Sequence, residues 1–132
     1  MSIRVTGNIE SKLWEERPFA EEANAPKLTR ANGSDLYHGE IEAEGTFEYL
    51  MLYGDDGVTP FIGMTRVVGR LGNRQGSFVM QGSGVHANGG VRATLSVMAG
   101  SGTGDLKGLR GEGTLVWNQE EQRLTLDYDI EA

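Results

Sequence analysis

The chain has 132 residues, a formal net charge of −7 and no cysteine, so it is long enough for a sizeable core but cannot form disulfides or thiolate metal sites. Its 20 glycines are about twice the usual share without a collagen-like period, which indicates many turns. The acidic balance excludes nucleic-acid binding, and no apolar run fits a signal peptide or a membrane span. We expect one cytoplasmic domain over residues 1–132, with no nucleic-acid or membrane partner.

Apolar and polar residues alternate with a period of two along nearly the whole chain, which is typical of antiparallel strands. The first predicted strand covers residues 3–14, and a surface loop with two prolines follows over residues 15–26. Seven further strands are predicted over residues 28–37, 41–53, 59–71, 75–85, 91–98, 111–117 and 123–130.

The connections between these strands favour consecutive hairpins. The turn sequences GDDG (54–57), LGNR (71–74) and ANGG (87–90) contain the Gly and Asn residues that tolerate positive φ. No amphipathic run of helical length supplies a crossover between parallel strands. The sequence therefore predicts an all-β fold, an eight-stranded antiparallel up-and-down barrel, with a β-sandwich as the alternative.

The glycine-rich segment GSGTGDLKGLRGEGTL (100–115) raises the question of a phosphate-binding loop. A dinucleotide fingerprint fails because the third glycine, Gly108, comes one position late, and a P-loop fails because Lys107 lies between Leu106 and Gly108. Two strands follow instead of a helix. We expect a loop with a tight turn at residues 105–108 and no cofactor.

The predicted third strand carries the carboxylates of interest. Glu48 shares one face with Glu42 and Glu44, whereas Phe47 and Tyr49 share the other face. In the first interpretation, the glutamates face water and the Phe47 face lies inside.

In the second interpretation, the Glu48 face lines the lumen of the barrel. Residue 64 or 66 is then the cross-strand neighbour of Glu48, so Glu48 can meet Arg66, and Gln81 lies on the same face. Because an unpaired buried charge is strongly destabilising, the two charges must pair. Glu48 and Arg66 become candidate catalytic residues, and Gln81 becomes a ligand-orienting donor.

Three large aromatic residues, Trp14, Trp117 and Tyr128, are candidate ligand-binding residues, and core packing remains the alternative for each. The two histidines, His38 and His86, fall near strand ends. Two histidines make a metal site only if carboxylates complete it, so no metal is expected.

Five segments carry a resemblance to a known family: KLTRA (27–31), EGTFEYLM (44–51), FIGMTRVVGRLGNRQGSFVMQGSG (61–84), GSGTGDLKGLRGEG (100–113) and LDYDIE (126–131). Together they resemble the bacterial family catalogued as domain of unknown function 3224. The resemblance spans nearly the whole chain and implies a barrel similar to allene oxide cyclase, within the calycin-like set. It implies no catalytic role for any residue.

Three hypotheses about function follow. The first is a cofactor-independent isomerase or cyclase that acts on an apolar substrate in the lumen, through Glu48, Arg66 and Gln81. The second is a non-catalytic protein that binds a lipophilic small molecule with the same residues. The third is a packed barrel without a cavity that serves as a homo-oligomerisation module.

Overall fold

A computed structural model describes residues 2–131 as a closed antiparallel barrel in which the strands pair in chain order and β8 returns to β1. The strands are β1 (Ile3–Ala20), β2 (Lys27–Gly39), β3 (Ile41–Tyr53), β4 (Thr59–Leu71), β5 (Arg74–Ala87), β6 (Gly90–Val97), β7 (Leu109–Trp117) and β8 (Gln122–Ile130). A single 3₁₀ turn, Gly104–Leu106, is the only helical element among these residues. The predicted up-and-down barrel is confirmed, and the sandwich alternative is wrong.

The first strand is longer than the sequence predicts. β1 continues to Ala20, and only residues 21–26 form the connection to β2. The β1–β2 ladder runs to the pair Ala20 and Leu28, whereas the β1–β8 ladder ends at Asn8 and Arg123. The far half of β1 is therefore an edge, where Pro18 can sit in a strand without interrupting a second ladder.

A β-bulge in β1 reverses which residues face the lumen. Val5 and Ile9 are buried in the core, so odd-numbered positions point inward in the first half of β1. The register with β2 then shifts between Ser11 and Leu13. After this bulge, Trp14 lies opposite Gly33 and faces inward. The bulge thus extends the inner face along the free half of the strand.

The glycine-rich segment closes one end of the barrel. Leu106, at the end of the 3₁₀ turn, is 1% exposed and belongs to the same core as Leu71, Phe78 and Leu109. A Cβ on Gly102 would lie 1.9 Å from the carbonyl oxygen of Leu106, so only glycine allows this close approach. The tight turn predicted at residues 105–108 is present, as the 3₁₀ turn Gly104–Leu106 followed by Gly108 at positive φ.

The same segment also supplies hydrogen-bond partners to the backbone of β5, at positions that β6 is too short to reach. The Ser77 amide donates to Thr103 Oγ1 at 3.1 Å, and the Thr103 amide donates to the Ser77 carbonyl at 2.9 Å. Ser101 Oγ accepts from the Val79 amide at 3.0 Å. Arg110, which lies in the same segment on β7, forms an ion pair with Asp129 at 3.1 Å. These contacts hold residues 100–108, called the plug below, against the end of the barrel.

The opposite end of the barrel carries the connections 21–26, 54–58, 88–89 and 118–121. Asn88 and Gly89 both have positive φ, as expected for the predicted ANGG turn. None of the helical structure in residues 2–131 is both long and apolar enough to cross a membrane.

Candidate functional site

The lumen is open at the end opposite the plug and contains a cavity of about 420 Å³. This volume lies within the range of roughly 300–1,000 Å³ that is usual for small-molecule sites. The lining residues come from β1 to β7: Ile9, Ser11, Trp14, Glu16, Asp35, Phe47, Tyr49, Met51, Tyr53, Phe61, His86, Val91, Ala93, Leu115 and Trp117. This cavity contradicts a barrel packed along its whole length, which is the premise of the third hypothesis, whereas homo-oligomerisation itself stays a prediction.

One wall of the cavity is a continuous row of aromatic rings. The ring centroids of Trp14 and Phe47 lie 5.6 Å apart, those of Phe47 and Tyr49 lie 5.0 Å apart, and those of Tyr49 and Phe61 lie 5.1 Å apart. These separations are typical of stable aromatic pairs. The row therefore presents a rigid apolar surface from the rim into the lumen.

A hydrogen-bonded cluster organises the rim around Glu16. Trp14 Nε1 donates to Glu16 Oε1 at 3.2 Å, and Thr29 Oγ1 donates to Glu16 Oε2 at 2.7 Å. The Tyr53 hydroxyl donates to the same Oε2. Partial burial acts to raise the pKa of Glu16, but these three hydrogen bonds outweigh it and hold the pKa below its usual value. Glu16 is therefore a charged acceptor that fixes the orientation of Trp14, Thr29 and Tyr53 at the rim.

Asp35 is the carboxylate deeper in the lumen. It lies on β2 between Ser11 of β1 and Gly45 of β3, and it lines the cavity. Within residues 2–131 it has no ion-pair or hydrogen-bond partner, and burial alone raises its pKa to about 6. An acidic group in this state can accept or release a proton near neutral pH.

Two tyrosines lie near this carboxylate. Burial raises the pKa of Tyr37, and the charges of Asp35 and Tyr49 raise it further. Burial also raises the pKa of Tyr49; this effect outweighs the hydrogen bond between its hydroxyl and Thr65 Oγ1 at 3.3 Å, and the charge of Asp35 adds to the increase. Both phenols therefore stay protonated and can serve as hydrogen-bond donors.

The lumen position predicted for Glu48, Arg66 and Gln81 is wrong. All three side chains are exposed on the outer face, and Glu48 forms an ion pair there with Arg30 at 3.1 Å. Glu48 lies opposite Met64, which in turn lies opposite Gln81, whereas Arg66 lies opposite Thr46. The three residues therefore share one face, as predicted, but Arg66 is not the direct cross-strand partner of Glu48 and the shared face is the outer one. Charged side chains face water because desolvating them is unfavourable. The interpretation with Phe47 inside is confirmed.

Glu48 and Gln81 instead line an outer groove of about 1090 Å³, together with Leu50, Ile62 and Met64. This groove is larger than the lumen cavity but lies on the outside of the wall, where it is more open to solvent. The catalytic roles of Glu48 and Arg66 stay predictions, and the lumen site contains neither residue.

The three candidate aromatic residues divide between the two ends of the barrel. Trp14 and Trp117 line the cavity at its rim, where Trp14 is 49% exposed. Tyr128 is 4% exposed and belongs to the core, away from the cavity lining. Trp14 and Trp117 therefore line the lumen, whereas Tyr128 packs in the core, which was the alternative for each of the three.

The two histidines lie in different parts of the barrel. His86 lies at the rim of the cavity, whereas His38 Nε2 lies 2.9 Å from Glu10 Oε1 on the outer surface. Over residues 2–131, no group of three or more His, Cys, Asp or Glu side chains could hold a metal ion.

The sequence analysis did not identify Asp35 as a candidate site residue. The signal was present, because Asp35 shares one face of β2 with Ala31, Gly33 and Tyr37 by the period of two. A carboxylate among small and aromatic residues on one face is unusual for a solvent-facing position.

We expect Asp35→Asn to stabilise the protein more at pH 8 than at pH 4. Burial raises the pKa of Asp35 from its ordinary value of 3.8 to about 6 in the folded state, so the folded state binds the proton more tightly than the unfolded state. The stability that this proton supplies is lost as the pH rises through about 6. The gain from the variant should be about 1–3 kcal/mol greater at pH 8 than at pH 4. Urea unfolding at both pH values measures it.

Glu44→Gln is the matched control, because Glu44 is exposed on the outer face one residue from Gly45. Its effect on the free energy of unfolding should be small at both pH values. An Asp35→Asn effect of equal size at pH 4 and pH 8 would contradict the assignment of a partly buried, unpaired carboxylate.

Comparison with known proteins places the chain in a family. A family model described as "Protein of unknown function (DUF3224)" matches residues 5–129. A crystal structure of a protein of unknown function from the DUF3224 family of Shewanella oneidensis MR-1 is 27% identical, with a TM-score of 0.83 and 100% of both chains covered. No curated protein matches the chain. The sequence resemblance is thereby confirmed, and the chain belongs to the DUF3224 family of proteins of unknown function.

Proposed function

We propose that the protein binds a small, largely apolar molecule in the lumen of the barrel. The observation that carries the proposal is the open-ended cavity of about 420 Å³ with an aromatic wall and one unpaired carboxylate. Apolar contact with Phe47, Tyr49 and Phe61 supplies affinity, and Asp35 orients one polar group of the ligand. Binding sites usually combine such an apolar wall with few polar groups.

The rim supports the same proposal. Trp14, Glu16 and Tyr53 are held by mutual hydrogen bonds, so the entrance is ordered before a ligand arrives. An entrance that is already ordered reduces the entropy lost on binding. Both tryptophans of the chain, Trp14 and Trp117, line this entrance, and their fluorescence reports its occupancy.

N-phenyl-1-naphthylamine, a neutral apolar dye that fluoresces in apolar surroundings, tests the proposal. We expect it to bind the protein and to lose about ten-fold in affinity in Val91→Phe, because Val91 lines the cavity and the larger ring reduces its volume. Val85→Phe is the matched control, since Val85 is 39% exposed on the outer face of the neighbouring strand. Fluorescence titration gives both dissociation constants.

Equal affinity of the two variants would place the dye on the outer surface and would contradict the proposal. A loss of affinity in Val85→Phe with no loss in Val91→Phe would contradict it in the same way. Thermal unfolding of both variants verifies that each remains folded at the temperature of the titration.

A second candidate function is cofactor-independent isomerisation through proton transfer. The observation that favours it is the Asp35 carboxyl, with a pKa raised to about 6 by burial, near the protonated Tyr49 hydroxyl. An ionised Asp35 can remove a proton from the carbon next to a carbonyl group and return it to another position. A tyrosine hydroxyl can donate a hydrogen bond to the enolate oxygen that forms in between.

Exchange of the α-protons of cyclohexanone in D₂O, followed by NMR, tests this second function. We expect the protein to accelerate exchange, with a rate that rises as pH passes through about 6 because Asp35 must be ionised. Asp35→Asn should abolish the acceleration and Glu44→Gln should retain it. Acceleration that persists in Asp35→Asn would exclude Asp35 as the base.

A further inference from the structure

The charges that line the lumen are of one sign. Among the described residues that line the cavity, the acids are Glu16 and Asp35, His86 is the one histidine and lies at the rim, and none is a lysine or an arginine. The chain as a whole carries a net charge of −7. A cavity with low-dielectric walls concentrates this negative potential, so the lumen attracts cations and repels anions.

Of the two carboxylates, Glu16 is already satisfied. Its oxygens accept hydrogen bonds from Trp14, Thr29 and Tyr53. The Lys27 ammonium lies 4.9 Å from the centroid of the Tyr53 ring and helps to lower the pKa of Glu16. The negative charge of Glu16 is therefore compensated by neighbouring protein groups, so a ligand would gain little affinity by pairing with it.

Asp35 has no such partner in the part of the chain that the structure describes. Its environment raises its pKa through burial, with no compensating hydrogen bond or cation. A carboxylate that is partly desolvated and unpaired gains strongly from an ionic partner that enters from the cavity. A bound cation would supply that partner.

The rings beside Asp35 suit the same ligand. Asp35 lies opposite Gly45 on β3, so Phe47 is its diagonal neighbour on the inner face, at roughly 7–8 Å between Cα atoms. Phe47 and Tyr49 are stacked 5.0 Å apart and continue the wall. Aromatic faces attract cations, most strongly where water is excluded. The carboxylate and the rings thus act on the same charged group.

We propose that the lumen selects small apolar ligands that carry a cationic amine or quaternary ammonium group, which pairs with Asp35 and lies against the aromatic wall of Phe47 and Tyr49. The proposal rests on the proposed function, since it names the chemical class of the lumen ligand. It excludes fatty-acid-like anions, whose carboxylate would face Asp35 without a cation to receive it.

Three probes of similar size and different charge test the proposal: phenyltrimethylammonium, its neutral isostere tert-butylbenzene, and benzenesulfonate. Phenyltrimethylammonium has a permanent charge, so any pH dependence of its binding belongs to the protein. Quenching of Trp14 and Trp117 fluorescence at 0.15 M salt and pH 7.5 gives each affinity. We expect the cation to bind at least about ten-fold more tightly than its neutral isostere, and the anion to bind more weakly than either.

Asp35→Asn and Glu44→Gln separate pairing in the lumen from the net charge of the protein. Each variant removes one negative charge, from the inner face and the outer face respectively. Asp35→Asn should lower the affinity for the cation about ten-fold and leave that for tert-butylbenzene unchanged within two-fold, whereas Glu44→Gln should change neither. This selective loss is a result that misfolding would not produce.

Other outcomes overturn the proposal in distinguishable ways. If the cation and its neutral isostere bind equally well, the cation preference is wrong and the lumen-binding function stands. If Glu44→Gln lowers cation affinity as much as Asp35→Asn, net charge explains the preference and Asp35 is not the partner. If none of the probes alters tryptophan fluorescence or binds by calorimetry, both the preference and the lumen-binding function fail.

Discussion

The barrel is closed by six residue pairs between β1 and β8, from Ile3 with Tyr128 to Asn8 with Arg123. Beyond Asn8, the described part of β1 pairs with β2 alone, as far as Ala20. This unequal closure divides the molecule into two halves. One half is packed around Leu124, Leu126 and the Leu106 plug, and the other half holds the cavity. Closure at one end thus leaves room for a ligand at the other.

The β1 bulge connects this closure to the chemistry of the site. Without the register shift between Ser11 and Leu13, Trp14 and Glu16 would face outward, since side chains alternate along a strand. With the shift, both reach the rim and fix its shape through hydrogen bonds. Asp35 then lines the lumen as a carboxylate that has no hydrogen-bond or ion-pair partner among the described residues. A residue that breaks the local pattern in this way is characteristic of functional sites.

Much of the fold is predictable from the sequence because the alternation and the turns agree with each other. The limits of β3 and β4 match the predicted ranges, and the Asn88-Gly89 turn has the predicted backbone. The far half of β1 is not predictable in this way. Pro18 argues against a strand, and only the pairing with β2 and the free outer edge reveal why it is tolerated.

The candidate site is less predictable because both faces of β3 carry large apolar residues. Phe47 and Tyr49 alternate with Glu48 and Leu50, so periodicity alone cannot decide which face is inside. The cost of burying Glu48 decides it, as the exposed Glu48–Arg30 ion pair shows. Asp35 escaped detection for the opposite reason, since an acid is assigned to the surface by default. Its neighbours on the inner face were the better guide.

The central claim is that ligands occupy the lumen and not the outer groove, and methionine methyl NMR tests it directly. Met51 lines the lumen cavity, whereas Met64 lines the outer groove and is 51% exposed. In a protein labelled with ¹³C at its methionine methyl groups, titration with N-phenyl-1-naphthylamine should shift the Met51 resonance and leave that of Met64 in place. A shift of Met64 with an unchanged Met51 would contradict the account.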